Sequence, residues 1–120
     1  MIDKRDEALI CKIIQYCEEI DLTMQRFGKV KHIFENDLVY RNACALCILQ
    51  IGELANHVSA KLREKAVYVP WKQIRGMRNV VAHAYGTIDV EVLWEAIMED
   101  IPSLKNDCLQ LLQDSEQQKL

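Results

Sequence analysis

The sequence predicts a small all-α domain, an antiparallel four-helix bundle with one short helix, and three observations carry that prediction. Apolar residues recur at steps of three and four over long stretches, as a helix with one buried stripe requires. No sustained period-two segment occurs: Val67-Tyr68-Val69-Pro70 is the only strand-like run, too short to found a sheet. The chain has 120 residues, 50% of them apolar, which suits one core. With no internal repeat and no glycine- or serine-rich linker, residues 1–120 read as a single domain.

The first helix is predicted over about Asp6 to Phe27. Ile10, Ile13, Ile14, Cys17, Ile20, Met24 and Phe27 form its stripe, and Gly28 stops it. Residues 29–36 read as a connection. Asp37 is placed to cap a second helix by accepting an orphan backbone N–H. Its apolar face runs Cys44, Cys47, Ile48, Ile51, Leu54, Ala55, Val58 and Leu62. Gly52 inside it costs about 1 kcal/mol against alanine, and either permits close helix packing or is neutral.

Pro70 suits the first turn of a shorter helix, where its missing N–H is not needed. Trp71, Ile74, Met77 and Val81 face the core, and residues 84–87 break the helix. Asp89 caps a last helix whose seam is Leu93, Ile97, Ile101, Leu104, Cys108 and Leu111. Pro102 within it should kink or restart the helix, and the polar tail 114–120 should fray.

Composition narrows the function classes. No run approaches the roughly 18 consecutive apolar residues of a membrane span, and the charged start MIDKRDEALI is unlike a signal peptide. A cytoplasmic protein is the expectation. Five cysteines include the CxxC pair Cys44 and Cys47, but their apolar neighbours point to buried small side chains rather than a metal or redox motif. No GxGxxG, GxxxxGK[ST] or HExxH pattern occurs. Glu91, Glu95 and Glu99 form an acidic helical row, read as a solvated face. No metal and no cofactor is expected.

Net charge is −3, yet residues 61–82 hold six basic side chains against Glu64 alone. These are Lys61, Arg63, Lys65, Lys72, Arg75 and Arg78. Such a patch attracts phosphate, with Lys72 and Arg75 as candidate phosphate-binding residues. Its plainer reading is a solvated face paired with the acidic last helix. The acidic total disfavours broad duplex binding, leaving a small single-stranded or nucleotide-like substrate.

Of three histidines, His32 has no clear local partner. His57 follows Glu53 by four and pairs with it on one helical face, either as an ordinary surface pair or as an acid/base pair. His83 ends the basic helix. Arg75, Asn79 and His83 form a stripe at steps of four, whereas Arg78 lies about 140° from His83 around an unbroken helix. A site using both needs the helix to end or bend near His83, or must be assembled across a subunit boundary. Arg78 offers a donor fork to phosphate, and His83 exchanges protons near neutral pH. On RNA, His83 can take the 2′-hydroxyl proton as that oxygen attacks phosphorus. A second His83 or Tyr85 then protonates the leaving oxygen. The alternative is helix-end charge and hydrogen bonding alone.

At Arg78-Asn79-Val80-Val81-Ala82-His83-Ala84-Tyr85 the chain resembles the RxxxxHxY signature of HepT-like ribonuclease toxins in the HEPN superfamily. Ile51-Gly52-Glu53-Leu54, Pro70-Trp71, Gly76-Met77, Ile88-Asp89 and Val92-Leu93-Trp94 extend the resemblance over about residues 37–94. It implies a HEPN-like helical homodimer whose two motifs meet in a cleft. Arg78 and His83 would be catalytic, Asn79 and Tyr85 accessory. It also implies a metal-independent endoribonuclease toxin of a type VII-like toxin–antitoxin system, acting on single-stranded RNA. A minimal nucleotidyltransferase antitoxin would neutralise it by placing AMP on Tyr85. The competing reading is a non-catalytic, nucleotide-responsive binding subunit of a nucleotidyltransferase complex.

Overall fold

A computed structural model describes residues 2–84 and 89–118, and among these every regular element is helical. The elements are α1 (Lys4–Phe27), α2 (Lys31–Asn36), α3 (Leu38–His57), α4 (Ala60–Lys65), α5 (Trp71–Ala84), α6 (Val90–Glu95) and α7 (Ile101–Gln118). A π turn, Ala96–Asp100, joins α6 to α7 without a break.

Local chemistry starts and stops the long helices. Asp3 caps α1 by accepting from the Asp6 N–H at 2.8 Å, so the helix begins earlier than its apolar stripe suggests. Gly28 ends it at φ 109°, a left-handed backbone conformation that side-chain-bearing residues rarely adopt. Asp37 caps α3 as expected, accepting from Val39 and Tyr40 N–H. Asp89 caps α6 by accepting from Val92 N–H.

α1 and α3 run antiparallel. Tyr40 at the start of α3 donates its hydroxyl to Gly28 O at the end of α1. At the other end Asp6, buried near the start of α1, accepts from Ser59 N and Ser59 Oγ. α7 returns along α1, with Lys105 against Asp21 and Ile2 N–H donating to Ser115 Oγ at 3.4 Å. The core lies among α1, α3, α5 and α7 and contains the predicted stripe positions Ile10, Ile13, Ile20, Ile48, Ile51, Ile74, Val81, Ile97 and Leu104. By length and composition α3 is apolar enough to cross a membrane, but Cys44, Ile48, Ile51 and Ala55 are buried in this core.

Four expectations are corrected. Residues 31–36 are helical: Phe34 is fully buried against Tyr40 and Trp94, and the Arg41 guanidinium caps the Phe34 and Glu35 carbonyls. That stabilisation is tertiary, so no local signal announces it. The second helix does not continue to Leu62. It stops at His57, and Ser59 caps α4 by accepting from Leu62 N–H. The spacing of Val58 and Leu62, both buried, hides this break. Pro102 does mark a restart, as expected: the α pattern gives way to the π turn, with Ile101 N–H reaching back to Ala96 O, and resumes as α7 at Ile101, which puts Pro102 in a first turn where its missing N–H is least needed. The tail is helical to Gln118, with Ser115 buried. The predicted break after α5 does not include Ala84, which is helical; residues 85–87 lie outside the described residues.

Candidate active site

Pro70 stands just before α5, one residue ahead of the expected position, and its carbonyl accepts from Ile74 N–H. Trp71 anchors the start of the helix by donating its indole N–H to Ala66 O at 3.0 Å. Trp71, Ile74, Met77 and Val81 then bury one face of α5. This leaves Lys72, Asn79 and Arg78 on exposed positions and Arg75 half-buried.

Gly52 sets how closely α5 meets α3. A Cβ added there would stand 3.1 Å from Arg78 Cβ, 3.3 Å from Arg78 N and 3.4 Å from Ile74 O. Two of those atoms belong to helix backbone, which cannot step aside cheaply. Of the two readings of Gly52, close packing is therefore the right one. The next residue, Glu53, accepts from the Arg78 guanidinium at 2.5 Å, with both side chains 44% exposed. One arm of the guanidinium is thereby held on α3, and its remaining donors are available to an anion.

This pairing corrects the expected Glu53–His57 pair: Glu53 turns to Arg78, and His57 is exposed at the last turn of α3. The partner of Glu53 lies 25 residues away on another helix, beyond the reach of an i, i+4 rule. A signal was present in Ile51-Gly52-Glu53-Leu54, where a small residue precedes an acid.

His83 lies in the last turn of α5, which is helical from Trp71 to Ala84. Five residues along an unbroken helix place the Arg78 and His83 positions about 140° apart around its axis. α5 ends one residue past His83, as a site near a helix end requires, while the helix between the two positions is unbroken. Tyr85, the accessory and modification candidate, lies outside the described residues.

The charge pattern also departs from its plainer reading. Among the described residues the ion pairs are Lys31 with Glu35 and Glu91, Arg78 with Glu53, and Lys105 with Asp21. None joins the basic segment to the acidic last helix. Among the described residues Lys61, Arg63, Lys65, Lys72 and Arg75 make no ion pair.

The cysteines behave as core side chains. Cys17, Cys44, Cys47 and Cys108 are buried, and burial pushes each thiol up from 9.0 to about 12. Cys47 further donates weakly to Glu19 at 3.6 Å. Cys11 is exposed. Among the described residues no three His, Cys, Asp or Glu side chains gather in a metal-ligating group.

Residues 13–111 match the ribonuclease HepT-like family. "Putative RNase MJ1380" of Methanocaldococcus jannaschii is 32% identical over 95 residues, covering 79% of each chain. "Putative RNase TTE0752" of Caldanaerobacter subterraneus subsp. tengcongensis is 33% identical over 105 residues, 84% of this chain and 88% of the relative. "Probable ribonuclease HepT" of Thermococcus cleftensis is 40% identical over 55 residues, 46% of this chain and 50% of the relative. No solved structure matches. With its helical architecture, its Arg78–His83 spacing and a family match over most of its length, the chain belongs to the HepT-like ribonuclease family.

Proposed function

We propose that the chain is a metal-independent endoribonuclease that cuts single-stranded RNA and serves as the toxin of a toxin–antitoxin pair in the cytoplasm. The observation that carries this reading is Arg78, fixed by Glu53 at the α3–α5 contact, five residues before His83 in a chain of a ribonuclease family. Arg78 would steady the phosphate and the charge growing on its oxygens. His83 would take the 2′-hydroxyl proton while the 2′-oxygen attacks phosphorus and the 5′-oxygen leaves with a proton. Lys72 and Arg75 would hold neighbouring phosphate, and Asn79 would support Arg78.

Because the two motif positions do not share a side of α5, the reading includes a two-fold homodimer that brings the two α5 ends together. An apolar groove of about 540 Å³ beside α5, with Ile74, Met77, Val92 and Leu104 in its lining, supports a docking role for this part of the surface.

Incubation of purified protein with single-stranded RNA in EDTA is expected to give cleavage, and Arg78→Ala and His83→Ala are expected to lose about 100-fold or more. Equal behaviour of wild type and both variants refutes the assignment. Wild type without turnover that still binds a nucleotidyltransferase in a nucleotide-dependent way would make the chain a binding subunit.

Neutralisation follows the same reading. The Tyr85 oxygen attacks the α-phosphorus of ATP on a minimal nucleotidyltransferase, AMP is transferred and pyrophosphate leaves. The added phosphate would fill the phosphate site and block RNA. Mass spectrometry after incubation with that enzyme and ATP is expected to find AMP on Tyr85; an unmodified Tyr85 beside an active partner refutes it.

A further inference from the structure

Between α4 and α5 the surface opens into a second groove of about 540 Å³, with Arg63 and Glu64 on one wall, Lys72 and Arg75 on the other, and Val67 and Pro70 at the connection. Three cations therefore face one carboxylate. None of the three makes an ion pair among the described residues.

The two arginines are arranged differently from solvated surface charges. Arg63 is held in place by donating one guanidinium arm to Val58 O at 2.7 Å, which leaves most of its fork free. Arg75 has its Nε buried with no hydrogen-bond partner. The donors left for a ligand in the groove are therefore the outer nitrogens of the Arg75 guanidinium. Lys72, Arg75 and Arg78 stand at steps of three on α5, each roughly 4.5 Å further along the axis. Arg75, on the groove wall, and Arg78, three residues on, are neighbours on the helix surface, whereas Lys72 lies about 120° around the axis from Arg78.

We propose that this groove is a strand-guiding subsite, holding the sugar–phosphate backbone of single-stranded RNA at phosphates next to the one engaged by Arg78. This inference rests on the ribonuclease reading and extends it to the part of the substrate that is not cut. A groove carrying three cations suits a thin chain of repeating monoanions, and the placing of Arg75 one helical turn before Arg78 favours the rest of that same chain over an acidic protein. Recognition is by phosphate, so it carries no base preference. Glu64 lowers the field on the α4 wall and leaves Arg63, Lys72 and Arg75 as the contacts.

The test uses the full chain and labelled 2′-O-methyl RNA, which cannot be cleaved, as a 12-mer and a 3-mer. Affinity is followed by anisotropy across a salt series. The wild type should bind the 12-mer more tightly than the 3-mer. Each single-strand phosphate contact contributes about 0.7 to the slope of log affinity against log salt, so Arg63→Gln/Lys72→Gln should lower the slope by about 1.4. Lys72→Gln/Arg75→Gln should do the same and guards against a fold defect from losing the Arg63–Val58 bond.

Lys12→Gln/Lys29→Gln, an equal charge change on and just after α1, should keep the wild-type slope. The proposal is overturned if both groove variants keep that slope, if the α1-side variant lowers it equally, or if the two RNA lengths bind alike. A parallel cleavage assay on ordinary RNA separates the two readings. Turnover dependent on Arg78 with an unmoved slope removes the groove alone; a lowered slope without turnover removes the nuclease alone.

Discussion

α5 meets its neighbours in two contrasting ways. Against α3 the contact is closed: Gly52 lets the backbones approach, Ile74 and Ile51 are buried, and the charge of Arg78 is answered by Glu53. Against α4 the contact is open, with Arg63, Lys72 and Arg75 around a groove and in no ion pair among the described residues. Both sides are built from one short stretch of basic residues. The contrast teaches that local charge density does not say which arginine is positioned and which is waiting. The neighbouring helix decides, through whether it offers a carboxylate and how near its backbone can come.

The closed side should be the more sensitive of the two, but the largest effect falls on the core of α1, α3 and α7 behind both, and it comes from alkali. The native fold keeps the Cys17, Cys44, Cys47 and Cys108 thiols protonated, with values raised from 9.0 to about 12. Below pH 9 both folded and unfolded chains hold these protons, and the stabilisation is fully present. As pH rises from 9 toward 12 the unfolded chain loses them first, so stability falls. Circular dichroism against pH should show unfolding that begins above pH 9. At pH 8, a thiol reagent should label Cys11 quickly and the other four slowly; equal labelling would mean the core is not closed.

Next in size is Gly52→Val. Two methyl-bearing branches would be driven into the α5 backbone, an overpacking that costs about 1–3 kcal/mol. Denaturant melts should show a lowered midpoint with an unchanged slope. An unchanged midpoint would show that α5 can withdraw from α3 without cost.

Glu53→Ala should be milder in stability, within about 1 kcal/mol, because the pair is half exposed. It should nonetheless reduce kcat on single-stranded RNA more than it raises KM, since Arg78 loses its tether. Glu53→Gln, which keeps an oxygen acceptor, should restore part of kcat. Equal losses in both variants would argue against a positioning role. The smallest effect belongs to the open side: Lys72→Gln should leave the unfolding free energy from denaturant melts within about 0.5 kcal/mol of wild type, as expected of an exposed side chain with no ion pair among the described residues.

Most of the fold was legible because its signals are local. Asp37, Asp89 and Gly28 work through groups two to four residues away, and the stripes of α1, α5 and α7 repeat with the helix period. What escaped was held from a distance. α2 depends on Phe34 entering the core and on Arg41 closing its end, and α4 is separated from α3 by a Ser59 that also binds Asp6, 53 residues earlier. The site divides in the same way. Arg78 and His83 were readable from their spacing and its resemblance to a known signature. The Glu53 tether joins two helices and has no period to announce it.

The π turn at Ala96–Asp100 has a consequence for length. A π turn accommodates one residue more than an α turn, so it behaves as a built-in insertion within an otherwise regular rod. It lets Trp94 reach Phe34 on one side of Pro102 while Cys108 and Leu111 stay in the core on the other. Because the extra residue is absorbed within that one turn, removing a single residue there should return the stretch to α geometry and leave both flanks facing as they do. Trp94 would keep its place against Phe34, and Cys108 and Leu111 theirs in the core.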